Sequence, residues 1–166
     1  LYLGPYIRFV TTVCRSFSDC TEFAGISGPM DATFTAGFER LRGELFSWYA
    51  GEGVSTYSKR LCGVQQLTIG MMGSRRAPKL GTKAAETGYL MHLCVALPRK
   101  YWLILGDQHK PLYAAGQALG EYQQVLYTEG RVVSTAGMQR LHDCLVRHIS
   151  LCPPAAIEFL PKHHLW

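Results

Sequence analysis

Apolar residues recur at steps of three and four along most of this chain, which is the spacing of one face of an α-helix. One stripe runs through 34–49 and ends at "GEG" (51–53), with Asp31 or Thr33 as its candidate N-cap. Further stripes with this spacing lie at 55–73, 82–98, 111–130 and 134–151. The pattern predicts an all-α bundle of five or six helices in one domain spanning 1–166, with an irregular N-terminal segment at 1–30.

Local signals place several helix ends. Ser134 suits the N-cap of the last long helix, and "CPP" at 152–154 ends it. Pro111 suits the first turn of the preceding helix, where its missing N–H has no partner to lose. Pro98 predicts the end of the helix that begins at Thr82, because proline lacks the amide that would continue the hydrogen-bond ladder.

Composition adds a functional hint. The chain has 166 residues, of which 48% are hydrophobic and only 17% charged, whereas about 25% charged residues is usual for a soluble domain. This shortfall favours faces buried against other protein subunits. No apolar run approaches the roughly 18 to 20 residues of a membrane span, so we expect no spanning helix.

The chain begins with Leu1 and shows no secretory leader, so we expect a processed chain or part of a longer one. Its six cysteines contain no C-x-x-C pair, which favours reduced thiols, although a Cys14–Cys20 bridge remains an alternative. The compartment stays open, with an intracellular site, organellar or nuclear, as the expectation.

The positive charge is concentrated in one region. Residues 73–110 hold seven basic and two acidic residues, and the rest of the chain is balanced at ten of each. The tightest group is the loop "GSRRAPKLGTK", with Arg75, Arg76, Lys79 and Lys83. Such a loop could bind the phosphates of a nucleic acid or an anionic surface, helped by the amides of the helix that follows. The alternatives are a solvated loop or an acidic protein partner.

The last long helix carries the candidate chemistry. Cys144, His148 and Cys152 are spaced i, i+4 and i+8, which places them on one face. They could bind zinc together with His163 or the adjacent His164, or Cys144 and His148 could form a nucleophile–base pair. The third interpretation is a packed core with a hydrogen-bonded histidine. No phosphate-binding loop, dinucleotide fingerprint or nucleophile elbow occurs in the sequence.

Two segments together resemble a known family: "APKLGTKAAETGYL" (77–90) and "FLPKHHLW" (159–166). They are similar to a large multi-copy family of open reading frames in unicellular algae that look derived from mobile elements. In that family the "PKHH" run continues further, which implies that this chain ends inside a longer domain. The resemblance brings no established activity. It leaves nucleic-acid binding open, while the acidic triad that a relic transposase would need is not evident.

These observations lead to two functional hypotheses. The first is a non-enzymatic helical subunit or interaction module built into a larger assembly, with an organellar or photosynthetic complex as a speculative host. The second is a mobile-element-derived nucleic-acid-binding domain that uses the basic 73–83 loop. We expect no cofactor in either case, zinc at the Cys/His cluster being the exception to test.

Overall fold

The computed structural model describes residues 4–51, 67–74 and 80–158, and it is all-α. Within these ranges the chain forms seven α-helices, five of them long: α1 (Gly4–Ser18), α2 (Thr21–Ala24), α3 (Met30–Ala50), α4 (Ala84–Lys100), α5 (Trp102–Leu105), α6 (Lys110–Glu129) and α7 (Thr135–Leu151). Short 3-10 turns lie at Ile69–Met72 and Asp107–His109. The predicted all-α bundle is confirmed.

The N-terminal segment that we expected to be irregular contains the central helix of the fold. Helix α1 packs against α2, α3, α4 and α6. Its buried side chains include Phe9, Val10, Val13 and Phe17, all fully enclosed. The expectation was wrong because the β-branched run "YIRFVTTV" resembles a strand locally, whereas burial on four sides outweighs that weak preference. The helical spacing of these buried positions was the signal that could have revealed α1.

Helix α3 begins earlier than predicted, and its N-cap is Pro29 rather than Asp31 or Thr33. The predicted 55–73 helix lies mostly outside the described residues, and its described end is the 3-10 turn at Ile69–Met72. Helix α4 does not stop at Pro98. It continues to Lys100, because the bond from the Tyr101 amide to the Leu97 carbonyl (3.0 Å) completes one more turn.

Helices α6 and α7 form an antiparallel hairpin. Pro111 lies in the first turn of α6, and the Ser134 hydroxyl accepts a hydrogen bond from the Gly137 amide (3.0 Å) at the start of α7. Both local predictions are confirmed. The Glu129 carboxylate at the end of α6 also accepts from the Ser134 amide (2.8 Å), so the ends of the two helices are joined directly.

Only part of the apolar stripe predicted at 134–151 is buried in α7. Met138 was expected in the apolar stripe, but it is exposed, while Leu141, Cys144 and His148 are buried. The inward face is therefore rotated toward the cysteine and histidine positions. Packing against α6 decides this rotation, since both faces carry apolar residues.

Candidate functional site

The predicted Cys/His cluster is part of the packing between α6 and α7. His148 is 1% exposed, and its Nδ1 lies 3.0 Å from the carbonyl oxygen of Ala115. Since a carbonyl only accepts, Nδ1 carries the proton and donates. Nε2 lies 3.4 Å from Cys152 Sγ, which fits an S–H donor. His148 thus joins α7 to α6 through a buried hydrogen bond, as the packed-core interpretation predicts.

The two cysteines of this cluster have different surroundings. Burial raises the pKa of Cys152 to about 11. Cys144 lines a polar groove beside Glu121 and Arg147, and burial, together with the Glu121 carboxylate, raises the pKa of its thiol as well. Both thiols are therefore protonated at neutral pH, which is a poor state for nucleophilic attack.

Only three of the four residues proposed to bind zinc lie among the described residues. His163 and His164 lie outside the described residues. Within the described ranges, no group of three or more His, Cys, Asp or Glu side chains is arranged to hold a metal ion. Zinc binding by Cys144, His148, Cys152 and His163 stays a prediction.

Of the four basic residues proposed to contact phosphate, only Lys83 is described, and Arg75, Arg76 and Lys79 fall outside the described ranges. Lys83 is exposed and is the N-cap residue of α4. Its amide donates to the Glu86 carboxylate (2.7 Å). The helix start therefore already holds an anionic group, and the helix amides are less suited to an external phosphate than the sequence suggested.

Two other cations of the basic region are also paired. Lys100 Nζ lies 2.7 Å from a carboxylate oxygen of Glu44. Lys110 Nζ lies 2.8 Å from a carboxylate oxygen of Asp107. Glu44 belongs to α3, outside the basic segment, so part of the charge excess is compensated by tertiary contact. Arg99, beside them at the end of α4, is exposed.

Sequence reasoning missed an exposed apolar surface on α5. Trp102, Leu103 and Ile104, the apolar turn, are exposed by 52%, 86% and 37%. The flanking Tyr101 and Leu105 point inward, since Leu105 is buried and Tyr101 packs against the core. Because residues i and i+4 share a helix face, Leu103 at i+2 faces away from the core and is the most exposed of the three, whereas Ile104 at i+3 lies nearer the inward face and is the least exposed.

Tyr101, which directly precedes the apolar turn, is packed against aromatic side chains of the core. Tyr101 makes edge contacts with Phe17 (5.9 Å between ring centroids) and Phe23 (5.1 Å), and its hydroxyl donates to the Glu44 carboxylate. The Arg40 guanidinium lies over the Phe23 ring at 4.8 Å. Burial disfavours ionisation of Glu44, but hydrogen bonds from Lys100 and Tyr101 outweigh it and hold its pKa below the ordinary value. These contacts join the start of α5 to α1, α2 and α3.

A second exposed apolar surface lies at the connection between α6 and α7. Tyr127, Val132 and Met138, the hairpin patch, are all more than half exposed, Val132 by 84%. Tyr127 is in the last turns of α6, Val132 is in the connecting loop, and Met138 is in the first turn of α7. The hydrogen bonds from Ser134 and Gly137 described above hold this connection in place.

No family model matches this chain, and neither curated proteins nor solved structures give a significant match. The resemblance to the algal open reading frames accordingly stays a prediction. In the described part of the chain, every helix is too short or too polar to cross a membrane.

Proposed function

We propose that this protein is a non-enzymatic helical subunit that holds its place in a larger assembly by docking other protein subunits. The observation that carries the proposal is the pair of exposed apolar surfaces, the apolar turn on α5 and the hairpin patch between α6 and α7. The resemblance to algal sequences suggests an organellar or photosynthetic complex as the host.

The two surfaces lie at opposite ends of one helix. The apolar turn comes just before the start of α6, and the hairpin patch lies at its end. A helix of 20 residues is about 30 Å long at 1.5 Å per residue. Two separate neighbours can therefore contact the protein at once, which suits a subunit that bridges others.

The energetic reason for docking is the cost of leaving these side chains in water. Covering a large apolar side chain contributes about 1.5–3 kcal/mol when it becomes fully buried. Aromatic residues and methionine, such as Trp102, Tyr127 and Met138, are also the residue types enriched in protein interfaces. The low charged fraction of the sequence, 17%, points the same way.

Velocity sedimentation of a native extract tests this proposal. We expect the tagged full chain to migrate with a large particle. Leu103→Asp and Val132→Asp should each move it toward the free fraction, because a carboxylate cannot be buried in an apolar interface without a partner. Thr35→Asp, on the exposed side of α3, is the matched control and should leave migration unchanged. All three positions are exposed, and circular dichroism of the purified variants checks that folding is intact.

Two results would count against the docking role. One is a wild-type chain that sediments in the native extract at the mass of the free protein. The other is an equal loss of particle association in the Thr35→Asp control, which would point to general destabilisation rather than to docking.

Nucleic-acid binding is the second candidate function, supported by the charge excess of 73–110 and by the exposed Lys83. Replacing Arg75, Arg76, Lys79 and Lys83 with glutamine should weaken DNA binding and flatten its dependence on salt. The reason is that a protein with fewer phosphate contacts releases fewer counterions when it binds DNA. An unchanged salt slope would eliminate this function for the loop.

A further inference from the structure

A cleft opens between the end of α4, the helix α5 and the start of α6, with a volume of about 200 Å³. Its walls are largely apolar and include Pro98, Trp102 and Tyr113. The remaining lining residues are Gly106, Arg99, His109 and Lys110. Among the described residues that line it, none is acidic. The cleft therefore combines an apolar interior with a cationic rim.

The backbone of the cleft wall turns sharply at Gly106. Gly106 has φ +69° and ψ −176°, a conformation that essentially only glycine adopts. His109 Nδ1 lies 2.7 Å from the Leu105 carbonyl oxygen, so Nδ1 carries the proton and Nε2 is the other polar atom of the ring. The turn that links α5 to α6 thus forms one wall of the cleft.

The charges at the rim can reach a ligand at little cost. Lys110 Nζ lies 5.7 Å from the centre of the Trp102 ring and pairs with Asp107. The Asp107 side chain is 81% exposed, and an ion pair in water contributes little to stability. Lys110 can therefore exchange this carboxylate for the anionic group of a ligand, while Arg99 supplies a second cation.

We propose that this cleft binds a small organic anion built on a single apolar ring, of the aromatic carboxylate class. The volume sets the ring size, since an apolar cavity of about 150 Å³ accepts benzene and this cleft is slightly larger. The flat side chains of Trp102 and Tyr113 suit a ring, and Arg99 and Lys110 suit a carboxylate. The site goes beyond the docking role proposed above and is tested on the isolated full chain.

The test titrates the protein with phenylacetate and with phenylacetamide, its neutral analogue of the same shape. Binding is followed by saturation-transfer NMR and by the indole N–H signal of Trp102, assigned with Trp102→Phe. For a ligand of about ten non-hydrogen atoms we expect a Kd on the order of 1 mM. The amide should bind at least about tenfold more weakly, because it cannot pair with the two cations.

Four variants localise the binding. Arg99→Gln should weaken phenylacetate binding by about threefold to tenfold, with little effect on the amide. Trp102→Leu should weaken both ligands. Asp107→Asn should tighten phenylacetate binding by about twofold to threefold, since it removes the carboxylate that competes for Lys110. Arg131→Gln, an exposed position near the far end of α6, is the matched control and should have no effect.

The proposal is overturned by any of three outcomes: no saturable phenylacetate binding up to about 20 mM, some twentyfold above the expected Kd; equal binding of acid and amide; or equal effects of Arg99→Gln and Arg131→Gln. Circular dichroism and the dispersion of the NMR spectrum check that each variant is folded. A loss of binding in a folded variant can then be assigned to the cleft. A failure of this test leaves the sedimentation test of docking unaffected.

Discussion

Replacing Gly37 with alanine should push the packed helices α1 and α3 slightly apart and destabilise the protein. Gly37 lies in the middle of α3, where that helix crosses the end of α1. A Cβ atom at this position would lie 2.5 Å from the carbonyl oxygen of Ser18 and 2.9 Å from its Cα. The obstacle is backbone, so it cannot rotate away as a side chain could. Ser18 is fully buried, and α3 or α1 must move by a few tenths of an ångström or more.

The magnitude follows from two opposing effects. Overpacking of this kind costs about 1–3 kcal/mol, and backbone contact favours the upper part of that range. Alanine in a helix interior is favoured over glycine by about 1 kcal/mol. We therefore expect Gly37→Ala to lower the free energy of unfolding by about 1–2 kcal/mol. In a chain of this size that corresponds to a drop in Tm of about 2–8 °C.

Gly43 in the same helix is the matched control. It is exposed, and a Cβ there would have no atom within 4 Å. Gly43→Ala should raise the free energy of unfolding by up to about 1 kcal/mol. Urea unfolding followed by far-UV circular dichroism measures both variants against the wild type. Shifts of the same sign and size in the two variants would refute the close contact between α1 and α3.

Three further predictions concern other contacts. Gly116→Ala should destabilise the protein by about 1–2 kcal/mol, because its Cβ would overlap the Phe9 ring, while Gly120→Ala should be neutral or stabilising; urea unfolding compares them. Ser134→Ala should cost about 1 kcal/mol by removing the N-cap of α7, measured in the same way. Because the pKa of Glu44 is lowered in the folded state, its contribution is present above its ordinary value of 4.5 and is lost as the pH falls below it. Urea midpoints at neutral and acid pH should therefore depend less on pH in Glu44→Gln than in the wild type.

Much of the helical layout could be predicted from the sequence, because its signals are local. The stripe at 34–49 lies within α3, and the Ser134 cap and Pro111 mark the starts of α7 and α6. The prediction is wrong mainly where the local structure depends on residues that are distant in the sequence. Helix α1 is stabilised by burial against four other helices. Helix α4 passes Pro98 into one more turn, whose Lys100 pairs with Glu44 of α3.

The candidate site was predictable only in part. The i, i+4 spacing placed His148 beside Cys152, and the structure confirms that contact. The Ala115 carbonyl that accepts the hydrogen bond from His148 comes from another helix. The apolar turn and the cleft beside it had no sequence signal. Leu103 is apolar like its neighbours, and its exposure depends on which of the flanking residues pack into the core.

By itself, then, the order of apolar and polar residues determined that this chain is helical and where several helices begin and end, since those choices depend on neighbours within one or two turns. The tertiary structure alone decided which side chains around α5 face the core. Tyr101 faces inward because Phe17, Phe23 and Glu44 receive it, and the same contacts expose Trp102 and Leu103. These partners belong to three different helices, all distant in sequence from Tyr101, and only folding brings them to it.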